Sequence, residues 1–180
     1  MQQVKWSALL LILCVAGFFY LNSSHEWVVV ERAMSEKEVE QSYILNDISL
    51  ATVDGERIKM DRFQGKKTIL FFFTSWCHVC EQQWGELQFA SEEFSNMDVQ
   101  VVAINLTEEE SAVSAVEEYI EKIDSTDIFI ALDIKGDAQK QFRVLGIPTS
   151  FYVNEKGEMV KRMDGLVPAD KYIHLIKENN

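Results

Sequence analysis

Cysteine is scarce in this chain. Its 180 residues contain only three cysteines, at positions 14, 77 and 80. A small secreted domain held together by disulfides carries an even set of four or more, so the sequence does not belong to that class. A structural zinc site takes four ligands, and His25, His78 and His174 lack the spacing to complete one. The sequence therefore predicts no metal, and the pair Cys77 and Cys80 needs another explanation.

Basic residues are also few relative to acidic ones. The chain has 17 Lys and Arg against 29 Asp and Glu, which gives a net charge of −12. Such a surface repels phosphates and argues against a nucleic-acid partner. The length, with 47% hydrophobic residues, suits one globular domain plus an appendage. No internal repeat or low-complexity tract is present.

The longest uncharged apolar run lies at the N-terminus. Lys5 precedes residues 6–21, which carry no charged side chain. The run of about 16 residues is shorter than the roughly 20 of a full span, a gap that local bilayer thinning closes. A cleaved signal peptide is the alternative, but the bulky aromatic residues at 18–20 fit a small-residue cleavage site badly. We expect an uncleaved single-pass anchor over 1–22, with the following chain outside the cytoplasm.

Cys14 lies inside this apolar run. Lipid attachment usually needs a small residue just before the cysteine, and Leu13 is not small. This favours an apolar cysteine in a membrane helix over a lipoprotein. Residues 23–42 are polar and charged without a broad apolar face, so we expect a spacer there. The folded domain is expected over residues 43–180.

Apolar runs and turn signals predict an α/β domain. Strands are expected at 44–50, 57–60, 67–73, 99–104, 128–132, 149–153 and 159–163. Helices are expected at 78–95, after Thr107–Glu110, at 137–143, and after Pro168. Asp54-Gly55 is a hairpin turn signal. This order predicts a central mixed sheet with helices on both faces, parallel strands first and a hairpin late.

The segment from Thr107 to Glu110 has the pattern of a capping box. In that motif the threonine oxygen and the glutamate carboxylate each accept a hydrogen bond from a free backbone N–H at a helix start. The pattern predicts that the helix after β-strand 99–104 begins here.

Cys77 and Cys80 stand where a buried strand is expected to meet a helix. A helix N-terminus presents free N–H groups and a positive dipole end, which stabilise a thiolate on Cys77. Cys80 lies near enough to attack a mixed disulfide formed by Cys77. The spacing therefore indicates thiol–disulfide chemistry. A protonated His78 would make the disulfide more oxidising, whereas a neutral, exposed His78 would have little effect, and the sequence leaves both open.

Two segments together resemble the thioredoxin family. Phe73–Cys80 (FTSWCHVC) is similar to its strand followed by W-C-x-x-C, and Gly146–Phe151 (GIPTSF) is similar to its cis-proline loop beside the cysteines. With the anchor, the hairpin and a helical insertion, the chain resembles the membrane-anchored TlpA/ResA-type thiol-disulfide oxidoreductases of bacteria. The resemblance covers about residues 43–178. It implies a thioredoxin-like fold with an N-terminal β-hairpin and a central helical insertion.

The resemblance also implies roles for single residues. Cys77 would be the exposed attacking thiolate and Cys80 the buried resolving thiol. Pro148 would be the cis-proline, and the backbone of Ile147 would pair with an incoming peptide as an added strand. Trp76 would wall the site. The dithiol and its disulfide would be the only redox groups, with no bound cofactor.

The sequence departs from this group at one informative position. Members often carry a glutamate three residues after the second cysteine, where this chain has Gln83. The missing carboxylate leaves the route of proton transfer open. Six residues before Cys77 the chain has Phe71, where cytosolic thioredoxins have a buried aspartate. That residue favours the membrane-anchored group.

The resemblance implies a reductase of protein disulfides, as in cytochrome c maturation, with apocytochrome c as substrate, or in sporulation. Electrons would come from a membrane donor of the CcdA type. A thiol oxidase or disulfide isomerase on the same fold is the main alternative, which a charged His78 would support. A peroxidase is disfavoured because Thr74, three before Cys77, lacks the preceding proline pattern. A copper chaperone of this fold typically has three residues between its cysteines and a distant histidine ligand. In this chain two residues lie between Cys77 and Cys80, and no histidine lies in the right region, so this class is disfavoured.

Overall fold

The computed structural model describes residues 48–123 and 127–179. The predicted anchor at 1–22, the spacer at 23–42, Cys14 and His25 lie outside these residues. Within the described ranges, no helix combines the length and apolar character needed to cross a membrane.

The described chain alternates strands and helices. The strands are β1 (Ser49–Ala51), β2 (Arg57–Lys59), β3 (Lys67–Phe73), β4 (Val99–Asn105), β5 (Ile128–Leu132), β6 (Thr149–Val153) and β7 (Met159–Asp164). The helices are α1 (His78–Phe89), α2 (Ser91–Asn96), α3 (Val113–Ile120), α4 (Asp137–Gln141) and α5 (Ala169–Glu178). Short 3-10 turns occupy Met60–Phe63 and Thr107–Glu109.

The strands form one seven-stranded sheet in the order β2-β1-β5-β4-β3-β6-β7. The central strands β3, β4 and β5 run parallel. Strand β6 is antiparallel to β3, β7 to β6, β1 to β5 and β2 to β1. The predicted mixed sheet, with a hairpin at each end of the domain, is therefore confirmed.

Strand β3 is buried along its whole length because both of its faces are covered. Side chains alternate between the two faces of a strand. Ile69, Phe71 and Phe73 pack with α1, α2 and α5 on one face. Leu70 and Phe72 pack on the other face, with residues of the N-terminal hairpin and of the segment around α4. This rigid central strand carries the residues that follow it.

The helix predicted at 78–95 is two helices. Ala90 ends α1, where its backbone turns to φ −84° and ψ −5°, and α2 begins at the next residue. Leu87 and Phe94 are nevertheless both buried on the same face of the sheet. The helical spacing of the apolar residues was informative, but it did not reveal the bend at the small, fully buried Ala90.

The predicted capping box at Thr107–Glu110 is wrong. Helix α3 begins at Val113, its N-cap is Ala112, and no side chain caps it. The Thr107 hydroxyl lies 3.1 Å from Asn105 Oδ1, and the Glu110 carboxylate binds a different part of the chain. The local pattern failed because Glu110 has stronger partners across the sheet edge.

Candidate active site

The two cysteines lie where β3 passes into α1. Cys77 is the N-cap of α1, with an extended backbone (φ −85°, ψ 101°), and Cys80 lies in its first turn. They form a disulfide, with Cα atoms 5.2 Å apart. Cys80 is completely buried, and Cys77 retains 8% of its surface. The prediction of an exposed Cys77 is therefore wrong in degree, because the disulfide and the surrounding loops cover most of it.

The geometry around Cys77 favours negative charge on its sulfur. The backbone N–H of Cys80 points at Cys77 Sγ, with a nitrogen–sulfur distance of 3.1 Å. This is the contact that an N-cap side chain makes with a free N–H of the first turn. In the reduced state the same N–H and the positive end of the helix would stabilise a thiolate at Cys77 rather than at Cys80.

The cis-proline loop, residues 145–148, lies at the same edge of the sheet. Phe72 pairs with Thr149 across antiparallel β3 and β6, so the chain leaving β3 and the chain entering β6 are neighbours. The Ile147–Pro148 peptide bond is cis. Ile147 is half-buried and packs against the cluster that contains both cysteines. The structure thus brings together the two segments that the sequence singled out.

Hydrogen bonds fix the shape of this loop. The Thr149 hydroxyl donates to the Gly146 carbonyl oxygen at 2.7 Å. The Gly165 N–H donates to the Pro148 carbonyl oxygen at 2.8 Å. Leu145, the first residue of the loop, is almost fully exposed. The loop therefore offers a fixed backbone with an apolar side chain beside it.

Trp76 and His78 both face solvent. The Trp76 side chain is not part of the core: the residue is 60% exposed, and its indole N–H donates to the Glu109 carbonyl oxygen at 3.1 Å. The His78 side chain is 82% exposed, and its Nδ1 lies 3.4 Å from Glu81 Oε2. Glu81 therefore offsets part of any positive charge that His78 carries near Cys77. His174 is exposed, and its Nε2 lies 3.2 Å from Glu178 Oε1.

Gln83, which stands where the resemblance implies an acid, joins two parts of the chain. Its side chain is completely buried on α1. Its Nε2 donates to the Val167 carbonyl oxygen at 3.0 Å, and its Oε1 accepts from the Val167 N–H at 2.7 Å. An amide satisfies both backbone groups at once, which an ionised carboxylate cannot do because it has no donor. Gln83 therefore ties α1 to the chain between β7 and α5.

Glu110 is the functional candidate that the sequence missed. Its Oε1 accepts from the Ser75 N–H at 2.6 Å and from Asn105 Nδ2 at 2.7 Å, and its Oε2 accepts from the Ser75 hydroxyl at 2.6 Å. Ser75 lies two residues before Cys77. The signal available in the sequence was an acidic run directly after β4, which ends beside β3 if the two strands are parallel.

The surroundings of Tyr119 are also acidic. Burial, followed by the negative charge of Glu81 and then that of Glu110, raises the pKa of Tyr119 to about 12. Its ring lies 6.0 Å from that of Phe73, the last residue of β3. Helix α3, the predicted insertion, therefore packs directly beside the strand that carries the cysteines.

Comparison with known proteins agrees with this geometry. Residues 43–162 match the AhpC/TSA family. The chain is 36% identical to sporulation thiol-disulfide oxidoreductase A of Bacillus subtilis over 122 residues, which are 68% of this chain and 73% of the relative. It is 24% identical to the thiol-disulfide oxidoreductase ResA of Bacillus subtilis over 177 residues, 97% of this chain and 92% of the relative.

Two solved structures of related proteins also match this chain. The crystal structure of StoA from Bacillus subtilis is 33% identical and matches with a TM-score of 0.60 over 74% of this chain and 96% of that one. A DsbE-like protein from Chlorobium tepidum, at 24% identity, shares the fold with a TM-score of 0.66 over 78% of this chain and 96% of that one. The chain thus has a thioredoxin-like fold, belongs to the AhpC/TSA family and is a thiol-disulfide oxidoreductase.

Proposed function

We propose that this protein reduces disulfides in other proteins outside the cytoplasm, using Cys77 and Cys80 while residues 1–22 hold it to the membrane. One observation carries the chemistry: a disulfide at the N-terminus of α1, beside a cis-proline loop, in which only Cys77 has accessible surface.

Exchange proceeds in two steps. The Cys77 thiolate attacks one sulfur of the substrate disulfide, forms a mixed disulfide, and releases one substrate thiolate. Cys80 then loses its proton, and its thiolate attacks Cys77 Sγ. That step re-forms the Cys77–Cys80 disulfide and releases the second substrate thiolate. Two electrons pass from the dithiol to the substrate. The two substrate thiolates are protonated by the proton that Cys80 gave up and by one from solvent, which replaces the proton that Cys77 lost when it ionised.

The surroundings of the pair suit a peptide substrate. The backbone of Ile147 would pair with an extended peptide, and the fixed cis-proline loop would hold that peptide against Cys77. Trp76 would form one wall of the site, since its exposed ring is anchored by the bond to Glu109. Each of these groups binds or orients the substrate, and the two sulfurs alone carry the electrons.

Two features support the location and the role. The uncharged run at 6–21 after Lys5 supports a single-pass anchor. A relative in Bacillus subtilis carries sporulation in its name, which supports a role in sporulation-linked thiol supply. Cytochrome c maturation, with apocytochrome c as substrate, is the other candidate. In either role we propose a membrane electron donor of the CcdA type, because each substrate reduced leaves the pair oxidised.

The direction of transfer is tested by trapping thiols in living cells with an alkylating reagent. We expect the pair to be mainly reduced in wild-type cells and oxidised when the membrane donor is deleted. A pair that is oxidised in wild-type cells, with a potential near the roughly −120 mV of a strong oxidant, would instead establish the thiol oxidase, the direction that His78 favours.

The anchor is tested separately. N-terminal sequencing of the membrane fraction should find the chain starting before residue 6, and added protease should reach the domain from outside. A mature chain that begins after residue 21 and is released by washing would contradict the anchor while leaving the reductase chemistry intact.

A further inference from the structure

The carboxylate of Glu110 holds the active-site loop, residues 74–77, in place through hydrogen bonds. Glu110 accepts three hydrogen bonds of 2.6–2.7 Å, two from Ser75 and one from Asn105. Bonds of this length to an ionised acceptor are the strong kind. The main chain adds a longer bond from the Cys77 N–H to the Thr74 carbonyl oxygen at 3.3 Å, and the Cys77 carbonyl oxygen accepts from the Cys80 N–H at 3.0 Å.

The partners of Glu110 come from two neighbouring strands. Asn105 is the last residue of β4 and pairs with Phe73, the last residue of β3. Ser75 follows Phe73 by two residues. The carboxylate therefore joins the end of a rigid central strand to the loop that delivers Cys77 to the helix N-terminus.

A second contact ties the same two segments. The Trp76 indole N–H donates to the carbonyl oxygen of Glu109, the neighbour of Glu110. Ser75 and Trp76, the two central residues of the loop, are thus bound to the adjacent residues Glu110 and Glu109. Because this stretch leads into α3, the helical insertion supports the site as well as covering it.

We propose that Glu110 is a positioning residue for thiol–disulfide exchange. By fixing Ser75, it holds Cys77 Sγ on the N–H of Cys80 and on the axis of α1, where the thiolate is stabilised and aimed at the substrate sulfur. Fixed placement of a nucleophile supports its rate, and a displacement of about 1 Å can cost about a hundredfold. The proposal rests on exchange at Cys77, but it does not depend on the direction of electron transfer.

Three single variants of the full chain test this role. Glu110→Ala removes all three bonds. Glu110→Gln can keep them, because its oxygen still accepts from the Ser75 N–H and from Asn105 while its NH2 group donates to the Ser75 hydroxyl. Glu108→Ala is the matched control, because it removes a carboxylate from the same segment of chain. The Glu108 carboxylate lies 3.9 Å from Lys140 Nζ.

Two readouts are used. Insulin reduction gives kcat and KM separately, and the rate at which iodoacetamide alkylates Cys77 reports on that thiol without any protein substrate. We expect Glu110→Ala to lose about tenfold in kcat and in alkylation rate, with KM within about twofold. Glu110→Gln and Glu108→Ala should stay within about twofold of the unaltered protein in both assays.

Several results would overturn the proposal. If folded Glu110→Ala keeps both rates, Glu110 only stabilises the fold. If Glu110→Gln is as slow as Glu110→Ala, charge rather than hydrogen bonding is responsible. If Glu108→Ala is equally slow, the effect is not specific to Glu110. A chain that fails to reduce insulin but shows the expected alkylation pattern would count against the proposed function and not against this role.

Discussion

Two side chains hold the redox motif from opposite sides, and they are matched chemically to different surroundings. Gln83 is completely buried and binds the backbone of Val167, which offers one donor and one acceptor. Glu110 is partly buried and binds three donors from Ser75 and Asn105. The neutral amide of Gln83 lies where the site is fully buried, and the carboxylate of Glu110 lies where it is partly exposed to solvent.

The difference follows from the cost of burying charge. An ionised group taken fully out of water loses several kcal/mol of solvation unless it is paired. At Gln83 one of the two hydrogen-bond partners is the Val167 carbonyl oxygen, so a carboxylate there would face another acceptor. At Glu110 every partner donates. The amide of Gln83 is therefore the side chain that fits the donor and the acceptor that Val167 presents.

Exchanging the amide for an acid at position 83 should have the largest effect on stability. Gln83→Glu, when protonated, can still donate to the Val167 carbonyl and accept from its N–H. Burial raises the pKa of this carboxyl above its unfolded value. Stability is then close to that of the unaltered protein below the unfolded pKa, about 4.3, and is lost as the pH rises through the folded pKa.

Urea unfolding at pH 4 and pH 8 measures this effect. We expect Gln83→Glu to be about 2–3 kcal/mol less stable than the unaltered protein at pH 8 and nearly equal to it at pH 4. Gln82→Glu, on the exposed face of the same helix, is the control and should change little at either pH. A pH-independent loss in Gln83→Glu would mean that shape rather than charge is responsible.

Exchanging the acid for an amide at position 110 should change the free energy of unfolding much less. Glu110→Gln keeps an acceptor for the Ser75 N–H and for Asn105 and donates to the Ser75 hydroxyl. We expect its unfolding free energy at pH 7 to fall by less than about 1 kcal/mol, the scale of one ordinary hydrogen bond. A loss as large as that of Gln83→Glu would remove the contrast between the two sides.

His78 extends the comparison to a fully solvated position. Replacing it by alanine removes any positive charge near Cys77, so the reduction potential should move down. Exposed charge pairs contribute at most about 1 kcal/mol. Since 1.4 kcal/mol corresponds to about 30 mV for this couple, the shift should be below about 20 mV. Equilibration with glutathione measures it, and a downward shift of 60 mV or more would show that His78 acts strongly on the thiolate.

Replacing Tyr119 should have the smallest effect, and it tests the region of the site that contains Glu81 and Glu110. With a pKa raised to about 12, its hydroxyl stays neutral past the ordinary value of 10. The preference for folding that it supplies is complete below pH 10 and is lost as the pH rises toward 12. Absorbance at 295 nm should lose a late-titrating component in Tyr119→Phe. A component lost near pH 10 would contradict the burial of the Tyr119 hydroxyl, which is the largest cause of its raised pKa.

Much of the fold could be predicted from the sequence because the signals are local and repeated. The apolar run at 67–73 predicts strand β3, and the sequence predicts a helix over 78–95, most of which α1 occupies. The two motifs identified the site because each is continuous in the chain. The sheet then brings them together at one edge.

The supports of the site were not predictable in this way. Glu110 fitted a local capping motif, and its actual partner, Ser75, lies 35 residues away. Gln83 could be seen as a missing acid, but Val167 lies 84 residues away. Nothing in the local sequence marks such pairs, since they depend on which strand ends are neighbours in the folded sheet.

The most direct test of the account is to trap the substrate on each cysteine in turn. The geometry assigns the attack to Cys77, which keeps 8% of its surface exposed while Cys80 keeps none, and whose sulfur accepts the N–H of Cys80. Cys80→Ser should therefore accumulate a mixed disulfide with substrate protein, visible on a non-reducing gel, because no thiol remains to resolve it. Cys77→Ser should accumulate none. A mixed disulfide on Cys77→Ser, with none on Cys80→Ser, would reverse the assignment and contradict the account.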